Sequence, residues 1–154
     1  MRFPVVALTA FVALAGCTRK IPNTDIEDSK DNRALIAVVD AYRKAFDAKN
    51  VQGIMALVSK TYYDDAGTSD PTDDVDYRLL PQVLTETFVK LPDVKIELGV
   101  TDIKVKGDKA DVELFYDAKY RVSTPRHEIA KRDSDVQRLV MAREGDSWKI
   151  VSGL

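Results

Sequence analysis

The chain has 154 residues, 45% hydrophobic and 31% charged, with a formal net charge of -2, an ordinary globular balance that fits one domain. So mild an acidity excludes the basic face that a nucleic-acid partner requires. One histidine and one cysteine exclude zinc sites of ordinary composition and any internal disulfide, so core packing alone must stabilise the fold.

Met1-Arg2 is a short positive start, and Phe3 to Leu14 is almost wholly apolar. That run falls short of the roughly 20 residues needed to span a bilayer but has the length of a signal-peptide core. It closes on Leu14-Ala15-Gly16-Cys17. This tetrapeptide resembles the lipobox of bacterial lipoproteins at all four positions. The resemblance implies cleavage after Gly16 and attachment of two or three acyl chains, palmitate among them, at Cys17. The implied partner is a lipid bilayer, and loss of Arg2 takes the net charge to -3. Thr18 is not the aspartate that retains such proteins at the inner membrane, which points to the outer membrane, facing the periplasm or the surface. Residues 17–30 are polar, contain Pro22 and have no apolar period, so a flexible tether is expected between the signal peptide (1–16) and a domain covering 31–154.

Leu35, Val38, Val39, Tyr42 and Phe46 fall at helical spacing, with Asp31 or Asn32 as cap and Lys49-Asn50 at the end. A short second helix carries Ile54, Leu57 and Val58. A loop over 60–75 follows, with a short strand expected near Tyr62, and then a third helix over Asp76–Phe88 with Pro81 near its first turn. After Pro92 the period becomes two: Val94, Ile96, Leu98 and Val100 face one way, and the phase slips at Thr101-Asp102, as a bulge requires. Lys106-Gly107-Asp108-Lys109 is a hairpin turn. The next strand alternates Ala110, Val112, Leu114, Tyr116, Ala118, Tyr120 and Val122 against a polar face that includes Phe115. A charged connection over 125–134 leads to a strand at Val136–Arg143, a turn at 144–147, and a last strand carrying Trp148, Ile150 and Leu154. The expected class is α+β, with three N-terminal helices packed on a curved antiparallel sheet of about four to five strands.

This order resembles the nuclear transport factor 2-like superfamily, which includes the SnoaL-like proteins and ketosteroid isomerase. The resemblance rests on the helix Ala41-Tyr42-Arg43-Lys44-Ala45-Phe46-Asp47-Ala48-Lys49-Asn50, on Ile54-Met55-Ala56-Leu57-Val58 after it, and on the closing Gly145-Asp146-Ser147-Trp148-Lys149-Ile150. It implies a cone with an internal pocket. Such folds host enzymes, binding modules and assembly domains alike.

Three groups of residues are site candidates. Six carboxylates lie between Tyr62 and Asp76, of which Asp64, Asp65, Asp70, Asp73 and Asp74 are candidate ligands for a divalent cation; their spacing is not that of an EF-hand. Tyr62, Asp64 and Tyr116 are the pocket candidates, although the inward face of the clear strand carries no acid–base pair. Phe115, on a solvated face, is a candidate homodimer contact. His127 is expected at the surface. No Walker loop, dinucleotide glycine motif or nucleophile elbow is present, and no cofactor is expected beyond that cation. The sequence therefore predicts a membrane-anchored envelope lipoprotein whose domain binds a small molecule or another envelope protein without catalysis. An isomerase- or hydrolase-like enzyme acting on a small apolar metabolite and a homodimeric scaffold are the alternatives.

Overall fold

The computed structural model describes residues 19–123 and 127–154. The signal peptide, Gly16 and Cys17 lie outside the described residues. The first helix, α1 (Lys30–Asp47), buries Leu35, Val39, Tyr42 and Phe46 along one stripe. Its cap is Ser29, whose Oγ accepts the Asn32 N–H at 3.1 Å, rather than Asp31 or Asn32. The Asn32 side chain turns back instead and donates to the Glu27 carbonyl at 2.9 Å.

That bond belongs to a feature for which the sequence pattern gives no warning. Residues 19–29, expected to be a flexible tether, close into a small loop joined by a Lys20–Glu27 bridge. Ile21 N–H donates to Ile26 O at 2.9 Å and Asp28 N–H to Arg19 O at 2.6 Å. Ile26 is buried, and Arg33 clasps Asp28 through two hydrogen bonds. One buried apolar side chain, the Arg33–Asp28 pair and these backbone bonds hold a segment whose composition is otherwise that of a linker.

The short α2 (Val51–Met55) is capped by Asn50 and buries Ile54. Two two-residue strands, β1 (Tyr63–Asp64) and β2 (Val75–Asp76), pair across the acidic loop. The third helix, α3 (Leu80–Lys90), begins four residues later than its expected start at Asp76. Asp76 is held in β2, and its carboxylate accepts the Arg78 and Leu79 N–H groups at 2.9 Å, making a turn before the helix can start.

Four antiparallel strands follow in the order β3 (Lys95–Lys106), β4 (Lys109–Ser123), β5 (Glu128–Glu144) and β6 (Ser147–Ser152). The β3–β4 register shifts between Val100 and Asp102, where the sequence phase slips. β5 starts at Glu128, not Val136. Residues 128–132 pair with the end of β4, where most side chains on both faces are exposed. There the backbone ladder persists without the apolar alternation that betrays a strand. The outer edge of β6 is paired at Ile150, where Ser59 N–H donates to Ile150 O at 2.8 Å and Ile150 N–H to Leu57 O at 2.9 Å. The helices cover the concave face of the sheet around a core of Leu35, Ile54, Leu80, Leu114, Leu139, Met141 and Ile150. Among the described residues no helix is long and apolar enough to cross a membrane.

Asp117 is buried on the convex face beneath Arg132, whose Nε and Nη2 lie 2.7 and 2.8 Å from its two oxygens. The Arg132 hydrogen bonds hold its carboxyl below the usual carboxylate range. As pH falls past about 3.9, the unfolded chain takes up this proton before the folded one does, so stability present above that pH is lost on acidification. Asp117→Asn should be less stable at neutral pH yet show a shallower loss below pH ~4. Circular dichroism against pH checks this, and parallel profiles would count against it.

Candidate functional site

Between α1, α3 and the concave face of the sheet lies a cavity of 360 Å³. Tyr42 and Phe46 of α1 form one wall, and Thr87 and Leu91 at the end of α3 form a second. β3 contributes Ile96 and Leu98, β4 contributes Tyr116, Ala118 and Tyr120, and β5 contributes Asp133 and Gln137. The helical stripe that builds the core thus continues into the cavity: Phe46 packs edge-on against Phe88 of α3 with ring centroids 5.0 Å apart, and against Tyr42 at 5.9 Å.

Polar groups in this lining are few. Tyr116 donates its hydroxyl to Asp133 Oδ2 at 3.1 Å, a diagonal cross-strand contact between β4 and β5. Burial, and then the Asp133 carboxylate, push the Tyr116 phenol above its ordinary range, and burial pushes Tyr42 up as well. Both hydroxyls therefore stay neutral at physiological pH and act as hydrogen-bonding groups. Gln137 donates its amide to the Gly153 carbonyl, which ties the cavity floor to the C-terminus. Asp133 is the one carboxylate among the described lining residues and is itself exposed; no histidine lines the cavity. Such a site suits a small, largely apolar molecule with a hydrogen-bonding group set against Tyr116 and Asp133.

Of the three pocket candidates, only Tyr116 lines the cavity. Tyr62 is buried, and its hydroxyl accepts the Leu154 N–H at 3.2 Å and lies 3.4 Å from Asp64. Asp64 Oδ2 accepts the Gly153 N–H, while its other oxygen accepts the Ala66 N–H at 2.9 Å. These two residues clamp the C-terminal segment. The rest of the acidic loop is bonded to itself: Asp65 holds Gly67 N–H, Asp70 holds Thr72, Asp73 accepts from Thr68, and Tyr63 donates to Asp74. Among the described residues no three of these side chains, or of any His, Cys, Asp or Glu, converge as metal ligands would. Phe115 is 44% exposed on the convex face, opposite Val136 at 59%. His127 is exposed.

Sequence reasoning misses Asp133 and Gln137. A signal for both exists: extending the period of two backwards from Met141 and Leu139 places Gln137, Asp135 and Asp133 on the inward face.

Neither a protein-family model nor a curated protein sequence matches the chain. Solved structures do match. A Kribbella flavida protein superposes with a TM-score of 0.69 at 13% identity, over 80% of this chain and 87% of that one. A Streptomyces avermitilis candidate dehydratase of the NTF2-like family gives 0.63 at 16% identity, over 80% and 93%. A ketosteroid isomerase-like protein from Erwinia carotovora gives 0.62 at 14% identity, over 81% and 94%. The fold is nuclear transport factor 2-like. In this chain the sheet and the covering helices enclose the cavity beside Tyr116. At these identities the likeness shows the fold, while the chemistry must be read from this chain's own residues.

Proposed function

We propose that this chain is a membrane-anchored envelope lipoprotein whose nuclear transport factor 2-like domain holds a small, largely apolar molecule without transforming it. The observation that carries this reading is the cavity lining. Its aliphatic and aromatic walls surround neutral tyrosine hydroxyls, and its one carboxylate sits exposed at the Tyr116–Asp133 corner. An apolar pocket with a few oriented polar groups is a binding site in physical terms. Proton abstraction would call for a base enclosed with the ligand, and the one carboxylate among the described lining residues is exposed.

Native mass spectrometry of residues 19–154, secreted to a bacterial periplasm and purified gently, tests the reading. Excess mass beyond the bare chain is the expected result. Ala118 is half-buried in the cavity wall. Ala118→Trp should fill the cavity, remove the excess mass and abolish the fluorescence enhancement of an apolar dye, at a stability cost of about 1–3 kcal/mol. Retention of the adduct by the tryptophan variant would place the ligand elsewhere. Recovery of a chemically altered ligand would replace this reading with the isomerase- or hydrolase-like one.

A further inference from the structure

The folded loop at residues 19–29 fixes where the domain sits if Cys17 carries lipid. Cys17 is two residues from Arg19. Whatever the conformation between them, two residues reach at most about 7 Å. From Arg19 onward the chain is bound to the body of the domain by the Asp28 N–H to Arg19 O bond, the buried Ile26 and the Arg33–Asp28 pair. An acylated Cys17 would thus place the bilayer surface against one end of the cone.

Which end this is follows from the topology. α1 runs antiparallel to β3: its last residue, Asp47, accepts hydrogen bonds from Lys95 and Ile96 at the start of β3. At its first turn Asp31 lies 2.8 Å from Arg143, and Arg143 N–H donates to Asp108 O in the β3–β4 turn. Asn23, Thr24 and Asp25 face Val100 and Thr101 across a shallow cleft. The anchor loop, the start of α1 and the β3–β4 turn therefore share one end. Phe46, Ile96, Ala118, Tyr120 and Asp133, which border the cavity, lie toward the other. The sixteen steps from Lys30 to Phe46 span about 24 Å of helix.

We infer that the domain stands on the lipid surface on its 19–29 loop, with the end of the cavity bordered by Phe46, Ala118 and Asp133 turned away from the bilayer, so that this end faces the aqueous compartment. This rests on the anchor reading and adds an orientation to it. A domain on a long flexible tether would have no fixed orientation; here the tether is too short to allow that freedom.

The test uses the full chain, lipidated in bacteria and reconstituted into phosphatidylcholine–phosphatidylglycerol vesicles that carry a headgroup quencher. Acylation blocks the chain's one thiol, so Asp25→Cys and Lys131→Cys each supply a single labelling site, both at exposed positions. A fluorophore at position 25 should be quenched several-fold more strongly than one at 131. Inserting about ten Gly/Ser residues between Thr18 and Arg19 should largely erase that difference. Equal quenching without the insertion, or stronger quenching at 131, would overturn the orientation while leaving the anchor intact. A chain that does not float with the vesicles would overturn the anchor reading and the orientation with it.

Discussion

A Cys17→Ser chain exported behind an ordinary cleavable leader in place of residues 1–16 is expected in the aqueous fraction, whereas the parent stays with the membrane through high-salt and carbonate washes. Buried lipid contributes about 0.8 kcal/mol per methylene, so two long acyl chains amount to a membrane affinity on the order of 20 kcal/mol. Among the described residues no helix is long and apolar enough to cross a bilayer. The measurement is fractionation followed by an intact-mass determination, in which the parent alone should carry the mass of the acyl chains. Membrane retention of the serine variant after carbonate washing would sink the lipoprotein reading. The same pair of chains separates anchor from fold, because the serine variant should keep the melting temperature of the parent's domain.

Gly153→Ala is expected to remove at least about 3 kcal/mol of folding stability, from backbone strain together with lost hydrogen bonds to a charged group. Gly153 sits at φ +99°, a region that L side chains rarely adopt. A Cβ there would lie 2.2 Å from the Arg138 carbonyl oxygen and 3.1 Å from Leu139 Cα. Both obstacles are backbone atoms of β5, so the chain can relieve the overlap only by lifting the C-terminal segment off the sheet. Lifting it breaks three connections together: Gly153 N–H to Asp64, Gln137 to Gly153 O, and Leu154 N–H to the Tyr62 hydroxyl. Urea denaturation should show a lower midpoint at unchanged slope. Asp64→Ala, which keeps the glycine and removes only the acceptor, should lose less. A Gly153→Ala chain as stable as the parent would mean that the clamp contributes nothing.

The clamp also illustrates where sequence reading reaches its limit. The α1 stripe of Leu35, Val39, Tyr42 and Phe46, the alternation of Ala110, Val112 and Leu114, and the phase slip at Thr101 are local patterns, each written within one element. All three correspond to what the structure contains. Tyr62 and Asp64 form their contacts with residues about ninety positions away, and no local period encodes a contact of that kind. β5 was legible only where helices cover it. Beyond that cover its residues face water on both sides, and a strand with two wet faces carries the same composition as a loop. Asp133 and Gln137, the polar side of the cavity, stand near that boundary and were hidden with it. The 19–29 loop was missed for a different reason: one buried isoleucine is below the threshold of any periodicity argument.

The seam that Leu57 and Ser59 form along β6 has a bearing on crowding. Proteins held to a bilayer share two dimensions rather than three, so copies meet often. An open strand edge in that setting would invite copies to extend one another's sheets into aggregates. By occupying the N–H and C=O of Ile150, the chain after α2 interrupts one such edge, and the break in register at Thr101 disrupts the other. Were the chain held at a bilayer as proposed, this backbone arrangement would act beside the charged side chains of β3 to keep copies from pairing edge to edge.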